Sequence, residues 1–265
     1  MEILAILLSS LMGLLSPAGL IVDHVAQQAI RQRLTAAEQL QVRIDNAPSY
    51  QILQGRVQRV RVAGRGLFPI PGVRIAALEV ETDAIALRPS SLRRRTPKFE
   101  EPLQAGIRLV LTREDINKAL QSPRVAERLR DLSLNLLGSS SSRQSRRYDL
   151  INPQVTFLEN NRVRLQVTIQ TEQTNDQLPI TVESGVNIVS GHRLQLTDPN
   201  IIVGDRTLPD LLSRQLAEGI SRRFDLQRLE ASGITARVLQ LQIDPNQMAI
   251  AAFVRINPNS TSSGN

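Results

Sequence analysis

The sequence predicts an α+β fold, an antiparallel sheet combined with amphipathic helices. Three observations carry that expectation. Apolar and polar residues alternate in many short runs along most of the chain, the pattern of strands with one buried and one solvated face. Two stretches change to a helical period, and each opens Thr-x-x-Asp, at Thr112 and at Thr207, which is how a capping box reads. With 265 residues and no cysteine, the chain is long enough for one or two domains that seal a core without disulfide staples.

The elements follow in order. Glu2 and Asp23 bracket an uncharged stretch from Ile3 to Val22. At about 1.5 Å per residue it would reach roughly 30 Å, the depth of a bilayer core. It reads as an uncleaved anchor, as a cleaved signal ending near Ser16-Pro17-Ala18, or as the buried start of a helix. The last reading follows from Val22, Val25, Ala26, Ala29, Ile30 and Leu34, which keep a helical period.

Period two then takes over at Leu40, Val42 and Ile44, at Val60 and Val62, and at Val73 and Ile75. Ala76-Ala77 shifts the phase before Leu78 and Val80, and a β-bulge near Ala76 would explain the shift. Ile107, Leu109 and Leu111 continue the pattern. A helix opens at Thr112 and restarts at Ser122-Pro123, with Ile116, Leu120, Leu129 and Leu132 on its stripe. Val163, Leu165, Val167 and Ile169 alternate cleanly after a hairpin turn at Glu159-Asn160-Asn161. More strands lie around Ile180–Ile188, with a turn at Ser190-Gly191-His192, and from Leu194. The second helix places Leu208, Leu212, Leu216, Ile220 and Phe224 on one face. A last hairpin, Ile234–Ile243 and Met248–Ile256, turns at Asp244-Pro245-Asn246-Gln247. Segments 88–102 and 138–147 combine loop-forming residues with positive charge. The expected organisation is an apolar N-terminal helix over 1–22, a single domain over 23–256 and a flexible tail over 257–265.

Composition narrows the chemistry. Without cysteine, thiolate nucleophiles and cysteine-ligated metal sites are excluded, and two histidines, His24 and His192, cannot make a three-histidine site. There is no Trp, with only two Tyr and five Phe, few for stacking single-stranded nucleic acid. No helix-turn-helix or RNA-recognition pattern appears, so nucleic acid is not an expected partner. No phosphate loop, dinucleotide fingerprint or nucleophile elbow is present. Glu183-Ser184-Gly185 reads as a strand bulge rather than a nucleophile, and Glu79 and Glu81 as alternate residues on a solvated strand face. His192 reads as an exposed turn residue. No catalytic residue, metal or cofactor is expected.

The formal net charge is +7, and lysine is confined to Lys98 and Lys118. A biased genome would produce such an arginine excess; so would a protein that meets phosphate-bearing partners. Arg93, Arg94 and Arg95, with Arg143, Arg146 and Arg147, are the candidates for lipid headgroups. Each basic residue near an anionic membrane contributes roughly 1 kcal/mol. The apolar groove candidates are Ile116, Leu120, Leu129, Leu165, Val167, Leu212, Leu216 and Ile220. At about 0.8 kcal/mol per buried methylene, such a groove binds acyl chains with no polar signature; the same pattern also builds a closed core.

Four phrases carry a family resemblance: Leu14 to Leu20 (LLSPAGL), Arg43 to Tyr50 (RIDNAPSY), Gly55 to Gly66 (GRVQRVRVAGRG) and Pro102 to Pro123 (PLQAGIRLVLTREDINKALQSP). Together they resemble the cyanobacterial branch of the LmeA-like phospholipid-binding family, over about residues 14–256. The resemblance implies a fold similar to tubular lipid-binding (TULIP-like) domains, in which a strongly curved antiparallel sheet wraps a long helix around an apolar cavity. It also implies a phospholipid-binding protein of the cell envelope. The expected function is thus non-enzymatic binding of phospholipid, with an anionic preference, at a periplasmic, inner or thylakoid membrane surface. An envelope-tethered protein-interaction module with a closed core is the alternative, and an enzyme acting on lipids or glycans is a third reading.

Overall fold

The computed structural model describes residues 23–45, 54–88, 99–123, 125, 127, 148–171 and 176–258. The apolar stretch Ile3–Val22, the arginine loops with Arg93–Arg95 and Arg143–Arg147, Leu129 and Leu132, and the tail after 258 lie outside the described residues. Among the described residues no helix is long and apolar enough to cross a membrane. The chain divides into two compact units, both discontinuous: residues 1–111, 226–240 and 249–265, and residues 112–225 with 241–248.

The first unit opens with α1 (Asp23–Arg31), followed by β1 (Ala36–Asp45), β2 (Arg56–Val57), β3 (Arg59–Ile70), β4 (Val73–Thr82), β5 (Ile85–Ala86) and β6 (Leu103–Thr112). The helical spacing at Ala26 and Ile30 is used as read: both are buried, with Leu40, Val42, Val60 and Val62 in the same core cluster. Beyond β1 and β3, the sheet continues through β4 and β6 to the late hairpin, β12 (Ile234–Ile243) and β13 (Gln247–Ile256), in the order β1-β3-β4-β6-β13-β12. All registered pairs of β1, β3, β4 and β6 are antiparallel. Alternation has a plain outcome here, with Val60, Val62 and Leu78 inside and Glu79 and Glu81 exposed.

The phase shift at Ala76 is real but is not a bulge in β4. Ile75 and Leu78 are both buried, yet the β3–β4 register runs unbroken from Arg61↔Glu81 to Leu67↔Ile75, and its irregularity lies between Leu67 and Ile70. Both strands turn over together. Gly66 sits at φ +55°, a backbone conformation that a side chain resists.

The segment read as an irregular loop over 88–102 is partly core. Phe99 is 1% exposed and forms a β-bridge with Leu87, while Ile85 and Leu87 are equally sealed. The stretch is too short to show a period.

The second unit contains α2 (Arg113–Leu120), β7 (Tyr148–Leu158), β8 (Arg162–Thr171), β9 (Gln177–Val189), β10 (Arg193–Val203), β11 (Arg206–Thr207) and α3 (Asp210–Arg223). Its sheet runs β11-β10-β9-β8-β7, and the pairs are antiparallel. Asn160 and Asn161 make the β7–β8 turn at φ 58° and 54°, the left-handed region that Asn tolerates. Asn161 also binds the tip of the late hairpin: its Oδ1 accepts from the Ile243 amide at 2.7 Å. That tip is an Asx turn, with Asp244 Oδ1 accepting from Asn246 and Gln247 at 2.9 and 3.1 Å.

The two helices differ at their starts. Thr112 caps α2 as read, its Oγ1 accepting from the Asp115 amide at 3.1 Å. Thr207 does not cap α3: it ends in β11, and Pro209 occupies the cap position without a side-chain hydrogen bond. Helix resumes after Ser122 as read: Pro123, Val125 and Glu127 are helical, the Val125 amide donates to the Ser122 carbonyl at 3.1 Å, and the Ser122 hydroxyl donates back to the Ala119 carbonyl at 2.7 Å.

Candidate functional site

The second unit's sheet has one continuous apolar face. Cross-strand partners point the same way, so the registers collect Leu194 with Ile188, Leu196 with Val186, and Phe157 with Val163. Further along come Val155, Leu165, Val182 and Ile201, then Val167, Ile180 and Val203, then Leu150, Ile169 and Leu178.

One end of this face is sealed. Phe157 and Val186 pack with Ile243, and Ile116, Leu241 and Met248 lean on them. The other end is not part of that cluster. Leu165, Val167, Ile169, Ile180, Val182 and Val203 are half-buried, and Leu178 is 43% exposed. Val182 to Leu178 spans about 13 Å at ~3.3 Å per residue.

Helices close both edges of this sheet. Asn117 on α2 donates to the Val155 carbonyl and accepts from the Val155 amide. On the far edge, Ser221 Oγ accepts from the Leu196 amide at 3.3 Å and donates to the Ala217 carbonyl at 2.8 Å. Covering an edge this way removes a strand-pairing hazard. It also sets the orientation of α3. Ser213 and Ala217 are buried, whereas Leu211, Leu212, Leu216 and Phe224 are exposed. The leucine stripe expected to face inward therefore stands outside, because close approach to a strand edge selects small residues.

The groove candidates thus separate. Ile116 belongs to the sealed cluster, Leu120 is half-buried on α2, and Leu165 and Val167 lie on the half-sealed face. Leu212, Leu216 and Ile220 share one flank of α3, with Ile220 half-buried. Leu129 and the six headgroup arginines are outside the described residues.

The opposite flank of α3 and β10 bound a polar cleft of about 870 Å³, lined by Arg193, Gln195, Asp198, Arg214, Glu218 and Arg222 among others. Its floor is irregular because β10 carries one extra residue between Thr197 and Asn200, with Asp198 at φ 45°. The bulge expected around Ser184 is therefore in the partner strand. Ser184 itself is 1% exposed, and its hydroxyl donates to the Thr197 and Gly185 carbonyls at 2.8 and 2.9 Å. This is a structural use of the Ser184 hydroxyl. His192 is not exposed as expected but half-buried, with Nδ1 2.9 Å from Asp225 Oδ1. That contact pins the β9–β10 turn beside the end of α3.

A second cleft, about 1230 Å³, lies on the polar face of the first unit's sheet. Its charges are spent on one another. Arg61 and Arg43 bind Asp45, and Arg108 binds Glu79 at 3.3 Å. The hydrogen bond from Arg61 holds the Asp45 carboxyl below its usual range. Among the described residues no group of three or more His, Asp or Glu could hold a metal ion.

No curated protein and no solved structure matches the chain. A family-wide sequence model described as LmeA-like phospholipid-binding matches residues 13–253. That span is nearly the whole chain, and the protein belongs to the LmeA-like phospholipid-binding family.

Proposed function

We propose that the protein binds phospholipid non-enzymatically and holds acyl chain on the half-sealed apolar face of the second unit's sheet. The observation that carries this is the row of Leu165, Val167, Leu178, Ile180 and Val182, apolar yet left outside the core cluster. Monomeric soluble domains ordinarily seal such a face. Its length of about 13 Å is close to half of a roughly 30 Å hydrocarbon core, the share of one leaflet. Each methylene transferred there yields about 0.8 kcal/mol, so no specific polar residue is needed.

Membrane association at the cell envelope follows as part of the same reading. The exposed Leu212 and Leu216 on α3 supply an apolar contact for a bilayer interface. The net charge of +7 favours an anionic surface, and Arg93–Arg95 and Arg143–Arg147 are the sequence segments assigned to it. The similarity to tubular lipid-binding folds belongs to this proposal too. Native mass spectrometry of the full chain purified from membranes tests it. Co-purifying phospholipid is expected; a lipid-free protein that also ignores anionic liposomes would refute the proposal.

A further inference from the structure

The cleft between β10 and α3 contains charges that do not pair. Glu218 and Arg222 are four apart on one helix, the spacing and order at which a carboxylate and a cation usually meet. Lys118 and Glu114 do so on α2 at 2.7 Å. Glu218 and Arg222 form no ion pair, and neither do Arg193 and Asp198, among the described residues. In the cleft of the first unit, by contrast, arginines and carboxylates neutralise one another. Two cations and two anions stand open in the same concavity, whose volume is within the range of small-molecule sites.

Their order along the cleft is fixed by the backbone. Arg193 forms a β-bridge with Asp225, three residues past Arg222, so both arginines stand at one end. Leu196 meets Ser221, and Ile201 meets Leu208, so α3 runs opposite to β10. Asp198 and Glu218 therefore stand further along from the arginine end. Glu218 and Arg222 are about 6 Å apart along the helix axis, the scale of a phosphate and an amine joined through two carbons. Guanidinium groups bind phosphate oxygens bidentately, and carboxylates accept from an ammonium.

We propose that this cleft takes a zwitterionic phosphodiester–ammonium headgroup, with the phosphate on Arg193 and Arg222 and the ammonium on Glu218 and Asp198. The proposal rests on the phospholipid-binding reading above and adds the identity of the headgroup that is carried. It is separate from the attraction of the basic segments to an anionic membrane surface, which concerns docking rather than cargo.

Calorimetric titration of the full chain with monomeric lipids tests it. Dihexanoyl phosphatidylethanolamine is expected to bind about tenfold tighter than dihexanoyl phosphatidylglycerol. Arg193→Gln with Arg222→Gln should weaken both lipids at least about tenfold. Glu218→Gln with Asp198→Asn should abolish the preference between them. These side chains are exposed, so thermal unfolding should be unchanged. Glycerophosphoethanolamine, which has no chains, should bind at the same cleft, and inorganic phosphate should not displace it at equal concentration. Equal or tighter binding of phosphatidylglycerol, full displacement by inorganic phosphate, or indifference to the arginine changes would overturn the proposal. Uptake of a fluorescent fatty acid reports on the apolar face alone. If that uptake fails while glycerophosphoethanolamine still binds, the apolar-face reading is lost and the headgroup site stands.

Discussion

Asn117 holds both main-chain groups of Val155: its amide nitrogen donates to the carbonyl at 2.9 Å, and its side-chain oxygen accepts from the amide at 2.7 Å. One side chain thus stands in for a neighbouring strand at the β7 edge of the second unit's sheet. Asn117→Ala should cost about 1–3 kcal/mol, since it leaves partly buried backbone groups unmade. Asn117→Asp should not restore the loss, because a carboxylate cannot donate. Urea unfolding measures the cost, and faster hydrogen exchange at the Val155 amide locates it.

The other edge is set by small residues. Ala217→Leu should push α3 from β10 and destabilise by about 1–3 kcal/mol. Ser213 is 1% exposed, and its hydroxyl has no hydrogen-bond partner among the described residues. Ser213→Ala should therefore be neutral or stabilising, as removing an unsatisfied buried hydroxyl permits. Thermal unfolding of the two variants should move in opposite directions, or only the first should move.

How much was legible in the sequence depended on whether the signal was local. The Asn160-Asn161 turn and the Asp244 turn have residue types that their backbones require. The α1 stripe at Ala26 and Ile30 and the strand bounds of β12 were equally plain. Where a long-range choice decides, the pattern misled. The leucines of α3 have a clean helical period, yet the helix turns Ser213 and Ala217 inward, because its partner is a strand edge and not an apolar face. Thr207 resembles a cap, but pairing in β11 takes it first. Phe99 sits in a charged, loop-like stretch with no period to mark it as core. Of the candidate site, Leu165 and Val167 could be read from alternation. The cleft charges could not, because Arg193 and Arg222 come together only through the bridge to Asp225.

Acid should weaken the second unit through Glu183. Arg164 donates to its carboxylate at 3.1 and 2.8 Å, and Arg162 at 3.2 Å. The hydrogen bond from Arg164 is the main cause of a pKa lowered from the ordinary value; burial opposes it, and Arg162 adds to the lowering. A carboxylate with a lower pKa in the folded state stabilises fully above its unfolded value of about 4.3. That contribution is lost as pH falls through the folded value. Urea midpoints should therefore drop below about pH 4.3, and Glu183→Gln should flatten the drop. At neutral pH the variant should be the less stable protein.

The exposed stripe of α3 separates lipid capture from stability. Replacing Leu212 and Leu216 with Gln should change unfolding by less than about 0.5 kcal/mol each, as for other surface positions. Liposome co-sedimentation of the same double variant should fall severalfold. Unchanged co-sedimentation would remove this flank from the membrane contact.

Photolabelling locates the bound acyl chain on the protein. The full chain would be loaded with a phospholipid that carries a photoactivatable group near the end of its acyl chain, then irradiated and mapped by peptide mass spectrometry. Label is expected on Leu165–Ile169 and Leu178–Val182, on the half-sealed face of the second unit. Label confined to first-unit peptides, or no label above that of a non-binding control protein, would contradict it.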